Sequence, residues 1–168
     1  MKKFMAIIML AVVSTTAFVG CTSGEGTTEM ATPAPESTVQ KEPLKDLLAK
    51  MIEAGSVRMP MEADDTLATE NYKIDLANVE EYAIAQTGIS PGPGLVVMVK
   101  AKPGQVEAAK ANIDALLEAQ IGNAFYPNEK EAAEKAEVIV EGDYVALFIV
   151  NDEVKDVTMQ LFKDSKAE

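Results

Sequence analysis

Residues 95–101 read Leu-Val-Val-Met-Val-Lys-Ala, apolar at every position except Lys100. Successive side chains of a strand point to opposite faces, so this segment is expected to be a strand with both faces apolar, which suits only a central position in a sheet. Tyr144–Val150 (Tyr-Val-Ala-Leu-Phe-Ile-Val) is expected to be a strand as well. Val79–Gln86 alternates, with Tyr82 and Ile84 on one side, as a half-buried strand does. Val138–Val140 is the fourth, joined to Tyr144–Val150 through the two-residue loop Gly142-Asp143.

Helical periodicity fills the spaces between these strands. Leu44, Leu47, Leu48, Met51 and Ile52 make one stripe that Gly55 closes, with Glu42-Pro43 at its start. Asp64-Asp65 can begin a short helix, and Asn71–Asp75 reads as a turn. A long helix over residues 105–120 carries Val106, Ala109, Ile113, Leu116 and Leu117. Asn128 and Glu131 have capping-box spacing for a short helix toward Lys135. A last helix, capped by Asn151 or Asp152, carries Val154, Val157, Leu161 and Phe162.

The expected fold class is α+β, a two-layer, mostly antiparallel four-stranded sheet with helices packed on one face. The order strand, strand, helix occurs twice, so the chain reads as a duplicated ββα unit; coincidence among common patterns is the alternative. One sheet face would then stay open.

Ahead of this domain stand Lys2-Lys3, the apolar run Phe4–Val13, and Ala17-Phe18-Val19-Gly20-Cys21. A basic start, a short apolar stretch and small residues before a cut describe a secretory signal. The ten-residue run is shorter than the ~20 residues that span a bilayer. Its end has the pattern of a bacterial lipobox, with Phe18 where Leu is usual. Cys21, the sole cysteine, is the expected lipid attachment residue. Two acyl chains there would anchor stably, at about 0.8 kcal/mol per buried methylene. The following residues to Glu42 are rich in Thr, Ser, Gly, Pro and Glu and bury almost nothing. They are expected to form a disordered tether with an r.m.s. span of about 25 Å. The expected organisation is a lipoprotein signal peptide at 1–20, lipidated Cys21 and tether at 21–42, and one α+β domain at 43–168.

Composition closes several doors. There is no His, the commonest general base and metal ligand. One Cys cannot make an intramolecular disulfide or a cysteine-rich zinc site. A net charge of −12 argues against nucleic acid, whose binding needs a basic face. Ser and Thr lack a histidine partner, and neither G-x-S-x-G nor S-x-x-K occurs. No catalytic residue, metal site or cofactor is therefore expected.

Each remaining candidate residue also has a blander role open to it. Met59-Pro60-Met61, with Met51, offers thioethers to Cu(I), but packing of these Met residues against the first helix is the favoured reading. Arg58, the only arginine, suits an anionic ligand, yet pairing with Glu53, Glu62 or Asp64 is favoured. Glu80-Glu81 and Asp64-Asp65 are adjacent carboxylates without calcium-loop spacing, and strand neighbours face opposite ways, so a solvated surface is expected. Pro91-Gly92-Pro93-Gly94 must be a loop, without the lysine of a phosphate loop; its role, if any, is shape.

Val79-Glu80-Glu81-Tyr82-Ala83, Val96-Val97-Met98-Val99-Lys100-Ala101-Lys102, the helix near Val106, Asp143-Tyr144-Val145 and Asn151-Asp152 together carry a resemblance. From Leu44 onward the chain resembles an uncharacterised family of bacterial lipoproteins known only as a domain of unknown function. The lipobox and polar linker fit that arrangement; Pro91–Gly94 departs from it, standing where a longer polar loop with an acidic residue is usual. The resemblance implies no activity.

The functional expectation is a lipid-anchored lipoprotein on the extracytoplasmic face of the cell membrane, tethered through Cys21. It would be a non-enzymatic module binding another envelope protein through the open sheet face or the Pro91–Gly94 loop. The alternative is a small-ligand-binding surface lipoprotein with a pocket near Arg58, Tyr82 or Tyr144, the three speculative binding residues.

Overall fold

The computed structural model describes residues 41–166; the expectations for the leader, for Cys21 and for nearly all of the tether fall outside them. In chain order the elements are α1 (Leu44–Glu53), β1 (Pro60–Glu62), α2 (Asp65–Glu70), β2 (Val79–Thr87), β3 (Leu95–Ala101), α3 (Val106–Asn123), α4 (Pro127–Glu134), β4 (Val138–Glu141), β5 (Tyr144–Ile149) and α5 (Asp152–Lys166). The strands form one antiparallel sheet of order β1-β2-β3-β5-β4, so β3 is central as its apolar faces require. The fold is α+β with five strands, where four were expected. The extra one, β1, pairs Pro60, Met61 and Glu62 with Thr87, Gln86 and Ala85. Three exposed residues starting at a proline carry no hydrophobic pattern, so nothing in the sequence marks it as a strand.

Helices cover both faces of the sheet, not one. On the first face Leu95, Val97 and Val99 join Ile84, Val145, Leu147 and Ile149 beneath Ala109, Ile113 and Leu116 of α3. On the second, Val96, Met98, Ala83, Ala85, Ala146 and Phe148 lie beneath Leu44, Leu47, Leu48 and Met51 of α1 and Phe162 of α5. Phe162 meets Phe148 edge-to-face, with centroids 5.6 Å apart. Full burial of each large apolar side chain stabilises by about 1.5–3 kcal/mol, and both layers draw on it. The expected open sheet face does not exist.

This arrangement also removes the duplicated ββα unit. A two-fold axis relating β2-β3 to β4-β5 in this antiparallel order must run perpendicular to the sheet. Such an axis keeps each helix on the same face, whereas α3 and α5 pack on opposite faces.

Local expectations fare variously. Gly55 follows α1 at φ +88°, and Gly142 turns the β4–β5 hairpin at φ +58°, both conformations that favour glycine. Asp64 caps α2, accepting from the Leu67 N–H at 2.9 Å. The Asn128–Glu131 capping box is not made: α4 begins two residues earlier, with Tyr126 as N-cap, Pro127 in its first turn and no side-chain cap. Pro43 is the N-cap of α1 and not its first helical residue, so the helix begins one residue later than expected, at Leu44.

In β2 the register shifts between Val79, opposite Ala101, and Glu81, opposite Lys100, leaving Glu80 as an extra residue in a bulge. The shift puts Val79 in the same core as Tyr82 and Ile84, although odd and even positions would otherwise diverge. It also overturns the expectation that Glu80 and Glu81 part company. Glu80 pairs with Lys100 at 2.6 Å; that hydrogen bond first, and then the charges of both glutamates, raise the Lys100 ammonium.

The sheet has two poles about 20 Å apart, given seven residues in β3 at ~3.3 Å each. The β4–β5 turn marks the hairpin pole. The segment linking β2 to β3 marks the loop pole. Helix α1 starts at the hairpin pole, where the Leu44 N–H donates to Glu81 Oε1 at 2.6 Å, and runs toward the loop pole. Helix α5 returns in the opposite sense.

Candidate functional site

The three sequence candidates do not converge. Tyr82 is on the first face, its hydroxyl donating to Asp65 Oδ1 at 2.5 Å. Partial burial, reinforced by that bond and the Asp65 and Asp64 charges, pushes its hydroxyl up to about 12. Tyr144 is buried on the second face at the hairpin pole. The Lys166 ammonium lies 4.6 Å and the Lys41 ammonium 5.7 Å from its ring centroid. Arg58 is at the loop pole, its Nη2 3.7 Å from where a side chain on Gly92 would begin. The expected pair with Glu53, Glu62 or Asp64 does not form among the described residues. With Tyr82 on the first face and tied to Asp65, and Tyr144 on the second under two ammoniums, the three do not come together among the described residues.

The methionines also part. Met51 is buried in the second core, while Met59 is 71% and Met61 57% exposed beside β1. They neither pack on α1, as expected, nor form a thioether set.

What the loop pole does hold is an open cleft of about 280 Å³. One wall is the β2–β3 segment, where Ser90-Pro91 is cis. The Thr87 N–H donates to the Gly94 carbonyl at 2.6 Å. A Cβ on Gly94 would stand 2.7 Å from Thr87 Cβ, so the close approach requires glycine. Thr87 Oγ1 donates to the Arg58 carbonyl at 2.7 Å, and the Gly88 N–H to the Met59 carbonyl at 2.9 Å, which bind this wall to the strand before it. The other wall is the α3–α4 junction: Gln120, Asn123, Ala124 and Glu129 line it. Glu129 Oε1 accepts the Gly92 N–H at 3.0 Å and joins the two walls. Of the lining residues, Gln86 accepts through Oε1 the hydroxyl of buried Tyr72 at 2.8 Å, and burial pushes that hydroxyl up.

Just beyond Ala124, Phe125 is 85% exposed and meets Tyr126 edge-on, with centroids 5.1 Å apart. Met59, Met61, Phe125 and Tyr126 thus bring most of the large exposed apolar side chains to the loop pole. Next to the cleft, Lys135 pairs with Asp152 at 2.7 Å and Glu131 at 2.9 Å. Hydrogen bonds to Asp152 and Glu131 raise the lysine, and the bond to Lys135 lowers Asp152. Among the described residues no three His, Cys, Asp or Glu side chains group as metal ligands.

Residues 53–150, more than half of the chain, match the family model described as Domain of unknown function (DUF4358). The chain belongs to this family. No curated protein and no solved structure matches it. The DUF4358 match contains the whole sheet, α3 and every residue lining the cleft. Nearly all of α1 and all of α5, the layer over the second face, flank it. The residues lining the cleft in DUF4358 were missed in the sequence except for Pro91–Gly94, because Gln86, Thr87, Gln120 and Asn123 are ordinary surface types far apart in the chain.

Proposed function

We propose that this chain is a lipid-anchored module on the extracytoplasmic face of the cell membrane, held through Cys21, that binds another envelope protein without catalysing a reaction. Its contact surface is the loop pole. The carrying observation is polarity along the sheet: Lys41–Leu44 join the fold at the hairpin pole, while the exposed Met59, Met61 and Phe125 sit at the other. In this reading an anchor joined to the fold through Lys41 leaves the opposite pole directed outward. Clustered apolar side chains on a soluble surface are a common mark of a protein contact.

The small-ligand alternative, located near Arg58, Tyr82 and Tyr144, loses its site because those residues lie apart. The cleft between Pro91–Gly94 and the α3–α4 junction gives that reading a different location.

Metabolic labelling with a clickable palmitate tests the anchor. A labelled protein in the membrane fraction, with label lost in Cys21→Ser, is expected; an unlabelled mature chain free in the medium would refute it.

A further inference from the structure

We infer that the loop-pole cleft is a binding site for an uncharged, hydroxyl-rich ligand, a neutral saccharide. Its polar lining is Gln86, Thr87, Ser90, Gln120, Asn123 and Glu129, with neither lysine nor arginine among the lining residues. In a chain of net charge −12, an anion would meet repulsion there, and the neighbouring cations, Arg58 beside Gly92 and Lys135 already paired with Asp152 and Glu131, are not among the lining residues. The one carboxylate holds the Gly92 N–H through Oε1, which leaves its second oxygen as an acceptor for a ligand hydroxyl. Each carboxamide presents a carbonyl and an amino group side by side, the geometry that adjacent hydroxyls can bridge. With Gln86 Oε1 accepting from Tyr72, its amino group remains as a donor. Gln120 and Asn123 make no side-chain hydrogen bond with other described residues.

An extended peptide is the competing neutral ligand. Peptides gain most from pairing along a sheet edge. The edges here are β1 and β4, whereas the cleft lies across the ends of β2, β3 and β5, where no run of free backbone groups is offered.

The inference goes beyond the lipid anchor and is tested without it, on the full chain in detergent micelles. Saturation-transfer NMR and calorimetry would use triacetylchitotriose and maltotriose as neutral probes. Trigalacturonate, trilysine and acetyl-trialanine amide are the anionic, cationic and peptide controls. At least one neutral trisaccharide should bind with millimolar or tighter Kd, weakened tenfold or more in the Gln120→Ala, Asn123→Ala double variant. Should the double variant misfold, Asn123→Ala alone, at an exposed position, should weaken binding at least threefold. Phe125→Ala, which removes a proposed protein contact, should leave it within twofold. No binding of either neutral probe, tighter binding of any control, or unaltered affinity in the cleft variants would overturn the inference.

Discussion

The Lys166 side chain, 1% exposed, holds its ammonium 4.6 Å from the centre of the Tyr144 ring. The same ammonium donates to the Glu42 carbonyl, and the Lys41 ammonium donates to the Lys166 carbonyl at 3.0 Å. The start and the end of the described chain are thereby clasped together over the hairpin pole. A cation on an aromatic face contributes about 0.5–2 kcal/mol, and a hydrogen bond about 1 kcal/mol. Lys166→Ala should therefore lower unfolding free energy by about 1–3 kcal/mol in urea titrations, mostly through this clasp. An effect indistinguishable from zero would mean that the clasp is not stabilising.

Burial pushes the Lys166 ammonium below the ordinary lysine value of 10.5. The folded chain then binds fewer protons than the unfolded one between its lowered value and 10.5. Stability from this group consequently rises as pH climbs through that window, and the cost of the buried charge is fully present at neutral pH. Lys166→Met should abolish the rise. Urea midpoints collected from pH 7 to 10 in both proteins would check it, and parallel curves would contradict it.

Tyr82 acts in the opposite sense. Its value in the folded chain, about 12, stands above the ordinary 10.0, so the folded state keeps a proton that the unfolded state loses. The contribution is complete below pH 10 and disappears as pH rises from 10 toward 12. Tyr82→Phe should reduce the alkaline loss of stability, with a remainder from Tyr72 and Tyr144, whose hydroxyls burial also raises. Ultraviolet titration of tyrosinate at equilibrium should show one late-ionising group fewer in the variant.

Much of the fold was legible because apolar patterning sets it. The strand over 95–101, the stripe beginning at Leu44 and the Gly142-Asp143 hairpin all follow from side-chain periodicity and turn chemistry. The second helical layer was legible too, and was misread. Strands such as β3 and β5, apolar on both faces, cannot leave one face open to water, so they demand helices on both sides. The bulge at Glu80 was not legible, since a one-residue register shift is fixed by pairing with Lys100 and Ala101, not by local sequence. The cleft was half-legible: Pro91–Gly94 announces a loop, but its partner wall at Gln120–Glu129 arrives only through tertiary packing of α3.

The two-sided burial makes a direct prediction. Phe162→Ala on the second face should cost about 3–5 kcal/mol, and Ile113→Ala on the first about 2–5 kcal/mol. Both residues are wholly buried. If the second face were merely grazed by α5, the Phe162 variant would unfold within about 1 kcal/mol of wild type in the same urea assay.

Gly94 tests the cleft wall. In Gly94→Ala the new methyl collides with Thr87 Cβ, so strand ends must separate, at about 1–3 kcal/mol of stability. Hydrogen exchange should quicken at the Thr87 amide, which donates to the Gly94 carbonyl. Unchanged protection there would show that the approach of the two strands tolerates a side chain.

The proposal that the loop pole meets a partner is tested most directly by position. A photo-reactive phenylalanine analogue would be placed at Phe125, and separately at exposed Lys45 near the opposite pole, in the full chain in intact cells. Irradiation should give one discrete envelope-protein adduct from position 125, absent from position 45 and absent when Met59 and Met61 are both replaced by serine. Equal adducts from both positions, or none from position 125, would contradict the account.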